Sequence, residues 1–256
     1  MNEIIDKFRL DNKVAIVTGC SRGLGQGMAL ALAKAGADIV GISSSDSAPI
    51  TGKLVQETGR QFLYIKADLS STEPVSQIIS KTIDHYGQID ILINNAGITR
   101  RSQALYFSEK DWDDVININL RTLFFLSQAF ARYIIKENKK GKIINIASML
   151  SFQGGINVAA YTASKSAVKG LTMALANEWA QYNINVNAIA PGYMITDITS
   201  PIRKDSKRNR EISDRIPAGR WGTPEDLAGA VVFLASEASD YVNGHTLAVD
   251  GGWLAR

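Results

Sequence analysis

Cysteine and histidine are nearly absent from this chain of 256 residues, which holds only Cys20, His85 and His245. A single cysteine excludes an internal disulfide framework and a cysteine-rich zinc site. The two histidines stand far apart with no metal-ligand spacing, so no metal is expected to carry the chemistry. Excess charge of one sign is also missing. The 28 basic residues against 25 acidic ones leave a net +3, too small a surplus for the positive stripe of a nucleic-acid binder. No apolar run approaches the roughly 20 residues of a membrane span. The first ten residues contain Glu3 and Asp6 and lack the apolar centre of a signal peptide. The expectation is a cytoplasmic protein with neither a nucleic-acid nor a membrane partner.

What is present is an ordinary globular balance, 45% hydrophobic and 21% charged, in a length that fits one large α/β domain. Short apolar, β-branched runs predict strands over 13–18, 38–42, 62–65, 89–93, 142–147, 184–189 and 246–249. Helical patterns lie between them, as over 24–35, ended by Gly36, and over 73–86, ended by Gly87. This alternation predicts right-handed crossovers and a single Rossmann-type, doubly wound parallel sheet of seven strands with helices on both faces. No linker, repeat or composition shift divides the chain, so one domain over 1–256 is expected.

The stretch 195–217 breaks the rhythm. It holds Pro201 and the basic residues Arg203, Lys204, Lys207, Arg208, Arg210 and Arg215, interspersed with Asp205, Glu211 and Asp214. Two readings stand: a solvated, salt-bridged helix, or a mobile lid over an anionic substrate.

Thr18-Gly-Cys-Ser-Arg-Gly-Leu-Gly25 joins the first strand to the first helix. Glycines at 19, 23 and 25 let backbone turn tightly and approach a ligand, and the helix start offers free N–H groups to a pyrophosphate. The spacing is G-x-x-x-G-x-G. A tight turn without a ligand is the alternative. Asp68 and Leu69 end the third strand, and Asn94-Asn-Ala-Gly97 ends the fourth, so polar groups would line one crevice. Tyr161 and Lys165, four apart on a helix, share a face, and Ser148 lies just past the fifth strand.

Together, the glycine spacing, Asn94-Asn-Ala-Gly97, Ser148, Tyr161-x-x-x-Lys165 and Pro191-Gly192 resemble the short-chain dehydrogenase/reductase superfamily over nearly the whole chain. The resemblance implies a nicotinamide-dependent oxidoreductase with a Ser148–Tyr161–Lys165 centre and Asn119 in support. It also implies cofactor contacts from Gly19, Ser21, Gly23, Leu24 and Gly25 at the diphosphate. Asp68 and Leu69 would meet the adenine, Asn95 to Gly97 the ribose region, and Pro191, Gly192 and Thr196 the nicotinamide end, with Tyr161 and Lys165 also in contact. Tyr161 would accept the carbinol proton as hydride leaves. A tyrosine with a free pKa of about 10 needs a shift of roughly 3 units for that, and a nearby cation has the right sign.

Longer stretches, among them 142–155, 215–222 and the tail 248–256, resemble the sugar-acid dehydrogenases of that superfamily. They imply interconversion of a keto-deoxygluconate with its diketo form during uronate breakdown; the superfamily resemblance implies a homotetramer. A gluconate 5-dehydrogenase and a 3-oxoacyl-thioester reductase of the same fold are the neighbouring alternatives; a non-catalytic NAD(P)-sensing protein is the alternative of another class. A sugar acid needs a carboxylate partner, for which Arg100 and Arg101 are candidates, with Gln153, Tyr193 and Arg215 behind them. Met149 and Trp221 read as packing residues. The resemblance implies NAD(H), yet the second strand ends at Ser43 with no acid for the ribose hydroxyls, and Arg22 stands in the glycine loop. NADP(H) therefore stays open.

Overall fold

The computed structural model describes residues 3–256. The domain expected to begin at Met1 is thus described from Glu3 onward; Met1 and Asn2 lie outside the described residues. A four-residue helix, α1 (Glu3–Asp6), precedes the sheet. The first half then runs β1 (Val14–Thr18), α2 (Gly23–Lys34), β2 (Asp38–Ser43), α3 (Pro49–Gln56) and β3 (Phe62–Lys66). Next come α4 (Val75–Tyr86), β4 (Ile91–Asn94), α5 (Glu109–Ile116), a π-helical segment over Asn117–Thr122, α6 (Leu123–Lys136), β5 (Gly141–Ile146), α7 (Ala159–Trp179) and β6 (Ile184–Pro191). The chain ends through α8 (Ser200–Lys204), α9 (Ser206–Arg215), α10 (Ala228–Ala235) and β7 (Thr246–Val249).

All seven strands are parallel in the order β3-β2-β1-β4-β5-β6-β7. The order reverses between β1 and β4, which opens a crevice at the carboxyl ends of those two strands. Alternate residues feed two apolar layers, because side chains on a strand point to opposite faces. Ala15, Val17, Ile91 and Ile93 pack with Met28 and Leu32 of α2 and Val231 and Leu234 of α10. Val14, Ile16 and Leu92 pack on the other face with Ile78 of α4, Phe130 of α6 and Leu175 of α7. Each fully buried Val, Leu, Ile, Met or Phe side chain contributes about 1.5–3 kcal/mol, which accounts for the continuous apolar runs.

One boundary differs from expectation for an identifiable reason. β4 begins at Ile91 and not at residue 89, because the Asp90 carboxylate accepts the Val14 N–H at 2.9 Å. Asn119 lies in the π-helical segment that joins α5 to the long helix α6, a local widening that no residue pattern announces.

The 195–217 stretch folds as two short helices. The α9 surface is charged, with Asp205 capping its start and Arg208 paired to Glu211 at 3.4 Å. Its inner residue Ile212, with Ile216 just beyond, is pinned in a satellite core with Met149, Trp221 and Trp253.

Candidate active site

At the crevice, Gly19 and Gly23 take left-handed φ values of +66° and +57°, which a side chain would strain. A Cβ on Gly25 would stand 2.1 Å from the Gly19 carbonyl oxygen, so the turn closes only with glycine there. The loop is tied to both neighbouring strands. Gly19 N–H donates to the Ile42 carbonyl at 2.7 Å, and the Asn95 amide donates to Thr18 O at 2.8 Å and Gly19 O at 3.2 Å. Thr18 Oγ1 accepts the backbone N–H groups of Asn95 and Ala96, both at 2.9 Å. Thr18 thus ties the turn after β4 to the glycine loop, a role signalled in the sequence only by its place as the last residue of β1. No side chain caps the α2 N-terminus. Its free N–H donors fit a diphosphate. Thr196 faces Gly23, its methyl 3.7 Å from where a Cβ would sit.

The catalytic candidates converge from three elements. Ser148 follows β5 in extended conformation, and its hydroxyl accepts the Leu150 N–H at 3.2 Å. Tyr161 and Lys165 occupy the first two turns of α7. The buried Lys165 ammonium donates to the carbonyl of Ile146 and lies 5.8 Å from the centre of the Tyr161 ring. Asn119 is completely buried; its Oδ1 accepts the Ile98 N–H at 2.8 Å, and its amide donates to Ile98 O at 3.0 Å and Ser164 Oγ at 3.1 Å. A Cβ on Gly97 would press on Asn119 Oδ1 at 3.1 Å, and the Lys165 Nζ lies 3.7 Å from it. Burial pushes the Lys165 ammonium down to about 8. Burial also raises the Tyr161 phenol above its ordinary value, opposed by a hydrogen bond with Ser148 and by the charge of Arg101.

The remaining candidates separate. Arg100 pairs with Asp111 at 3.3 Å and Asp114 at 3.5 Å, so its charge is already matched. Arg101 is exposed and its field reaches the Tyr161 phenol. Tyr193 stacks edge-on against Trp221 and Trp253, 5.2 and 4.8 Å between ring centres, and Arg215 lies 4.0 Å over the Trp253 ring. Gln153 is half-buried behind the Met149–Ser151 turn. Gly192 lets β6 approach Asp250, since a Cβ there would stand 2.6 Å from the Asp250 Cα, and Pro191 is buried at the strand end. Asp68 is exposed and accepts the Ser70 N–H at 2.9 Å; Leu69 is buried beside it, and Leu24 packs on the first core layer. The Ser43 hydroxyl is engaged with Tyr64 of β3 at 2.8 Å. Arg22 pairs with Asp197 at 3.1 Å, both side chains exposed. Among the described residues no group of three or more His, Cys, Asp or Glu could hold a metal ion. No helix among them is long and apolar enough to cross a membrane.

A glycine turn at the switch point of a parallel sheet, with serine, tyrosine and lysine converging beside it, defines a nicotinamide-dependent oxidoreductase. The signature of the family described as enoyl-(acyl carrier protein) reductase spans residues 19–254, and the chain belongs to this short-chain dehydrogenase/reductase family. It is 60% identical over 253 residues to the 2-dehydro-3-deoxy-D-gluconate 5-dehydrogenase of Escherichia coli, covering 99% of this chain and 100% of that one. The protein of the same name from Bacillus subtilis is 56% identical over 256 residues, covering 100% of both chains. Among solved structures, a gluconate 5-dehydrogenase from Burkholderia cenocepacia in complex with NADP and tartrate superposes with a TM-score of 0.94. It is 40% identical, with 98% of this chain and 99% of that chain covered.

Proposed function

We propose that this protein oxidises 2-dehydro-3-deoxy-D-gluconate to 3-deoxy-D-glycero-2,5-hexodiulosonate and catalyses the reverse reduction. The observation that carries this reading is the 60% identity, over nearly the whole of both chains, to a relative bearing that name. When bound, the dinucleotide supplies the acceptor for a hydride. The chain's own residues handle the proton and the geometry. Tyr161 takes the hydroxyl proton as the carbinol C–H and O–H bonds give way to a carbonyl, and returns it in reduction. The Lys165 ammonium favours the phenolate, opposing the effect of burial. Ser148 holds the substrate oxygen beside the phenol, and Asn119 braces the loop that carries Gly97 and Ile98 against α7.

Arg101 is the residue we assign to the substrate carboxylate, because Arg100 is held by two aspartates. The 195–217 segment serves as the lid, hinged on the satellite core that it shares with Met149. NADP(H) is accepted beside NAD(H): β2 ends without an acid, and Arg22 stands on the glycine turn. The NADP in the Burkholderia structure supports this. The same reading includes a homotetramer formed through α6, α7 and β7, consistent with the partly exposed Phe125 and Met173 and with the free edge of β7. It also includes a cytoplasmic setting.

The deciding experiment follows nicotinamide absorbance with purified protein, 2-dehydro-3-deoxy-D-gluconate and either NAD⁺ or NADP⁺. Reduction of the dinucleotide is expected. No reduction with either would remove this substrate.

A further inference from the structure

Two buried serines, Ser151 and Ser164, lie behind the groups of the centre. The Ser151 hydroxyl donates to the Lys165 carbonyl at 2.6 Å and accepts the Ser148 N–H at 3.3 Å. The Ser164 hydroxyl donates to the Tyr161 carbonyl at 2.8 Å and accepts the Asn119 amide at 3.1 Å. Each of Ser148, Tyr161, Lys165 and Asn119 is therefore held, through backbone or amide, by one of these two hydroxyls. The elements joined are distant in sequence: the turn after β5, the start of α7, and the π-helical segment.

We propose that Ser151 and Ser164 are positioning residues that set the relative placement of the Ser148 and Tyr161 hydroxyls, the Lys165 ammonium and the Asn119 amide. This rests on the reading of those four as the reacting centre. A serine within a helix is ordinarily satisfied by bonding back to its own preceding turn. Ser164 does so and also takes a partner from another element, which no local rule supplies. Ser151 likewise spans from the turn carrying Ser148 to the helix carrying Lys165. Proton transfer and substrate orientation depend on placements good to a fraction of an ångström. Hydroxyls that fix backbone against backbone provide that tolerance without touching the substrate.

The groups around Tyr161 are the Lys165 ammonium from α7, 5.8 Å from the ring centre, with Arg101 from the loop after β4 and the neutral Ser148 hydroxyl from the turn after β5 acting on the phenol. Loosening either serine lets the cation of α7 or the hydroxyl after β5 drift from the phenol, which then ionises at higher pH.

The test compares Ser151→Ala, Ser164→Ala and the volume-conserving Ser164→Cys in the full chain with dinucleotide bound. Ser80→Ala is the control, because the exposed Ser80 hydroxyl bonds only back to the Gln77 carbonyl of its own helix α4, at 3.3 Å. The first readout is the ¹³Cζ resonance of Tyr161, assigned by its loss in Tyr161→Phe and followed with pH. The second is kcat and KM for the sugar acid. The serine variants are expected to lower kcat roughly tenfold, to leave dinucleotide affinity and KM unchanged, and to move the Tyr161 midpoint to higher pH. An unmoved midpoint, or an equal loss in Ser80→Ala, would overturn the proposal. The resonance needs no substrate, so failure of the sugar-acid reading shows separately, as a wild-type protein without turnover.

Discussion

The Lys165 ammonium donates a hydrogen bond to the carbonyl of Ile146, the last residue of β5, and thereby anchors the start of α7 to the sheet. Burial depresses its pKa to about 8 from the usual 10.5. Between those values the unfolded chain holds the proton and the folded chain does not, so stability rises with pH across that window. Below pH 8 the whole cost of burying the cation is carried, on the order of 3 kcal/mol. Lys165→Met is therefore expected to melt higher than wild type at pH 7, the gain reduced by the unpaired Ile146 carbonyl. The gap should narrow toward pH 10, while turnover falls about 10²-fold or more. Calorimetry at both pH values checks this; a lower melting temperature at pH 7 would contradict it.

Tyr161→Phe keeps the ring and removes the proton carrier. Turnover should drop about 10²- to 10⁴-fold in both directions, while dinucleotide binding, read by fluorescence quenching, stays close to wild type. Retained turnover would sink the role of the phenol.

The neighbouring arginines should behave oppositely. Arg101→Ala is expected to raise KM for the sugar acid about tenfold or more and to leave KM for an uncharged analogue unchanged. Arg100→Ala breaks exposed ion pairs with Asp111 and Asp114 and should change stability by less than about 1 kcal/mol, with KM preserved. Steady-state kinetics on both substrates separates the two; equal effects on acid and analogue would remove the carboxylate role.

Arg22 is expected to govern the choice of dinucleotide. Arg22→Ala should weaken NADPH binding about tenfold and leave NADH binding as it was. Asp197→Asn frees the guanidinium from its 3.1 Å partner and should strengthen NADPH alone. Titration calorimetry with both reduced forms is the measurement. Parallel changes in the two affinities would place the 2′-phosphate elsewhere.

Much of this was legible before any coordinates. The strands are apolar β-branched runs because a parallel sheet covered on both faces admits little else. The glycine turn could be read because left-handed backbone and close approach leave few residue choices. The boundary of β4 was not legible, since a side-chain carboxylate at Asp90 replaces the ladder partner of Val14. Nor was the π-helical placement of Asn119, whose bonds to Ile98 and Ser164 come from segments remote in sequence. Ser43 read only as a strand end without an acid; that its hydroxyl is engaged by Tyr64 of the adjacent strand came from the fold.

The sequence alone determined the alternation of strands and helices and the glycine turn, which local periodicity and the backbone freedom of glycine carry. Ser148, Tyr161, Lys165 and Asn119 became candidates through the resemblance of their motifs to the superfamily. Tertiary structure decided which of two adjacent arginines keeps a free charge, where Arg22 finds its partner, and that Ser151 and Ser164 bind the centre together. Those outcomes depend on hydrogen bonds and ion pairs between groups far apart in the chain, and only the folded sheet and its helices bring them within reach.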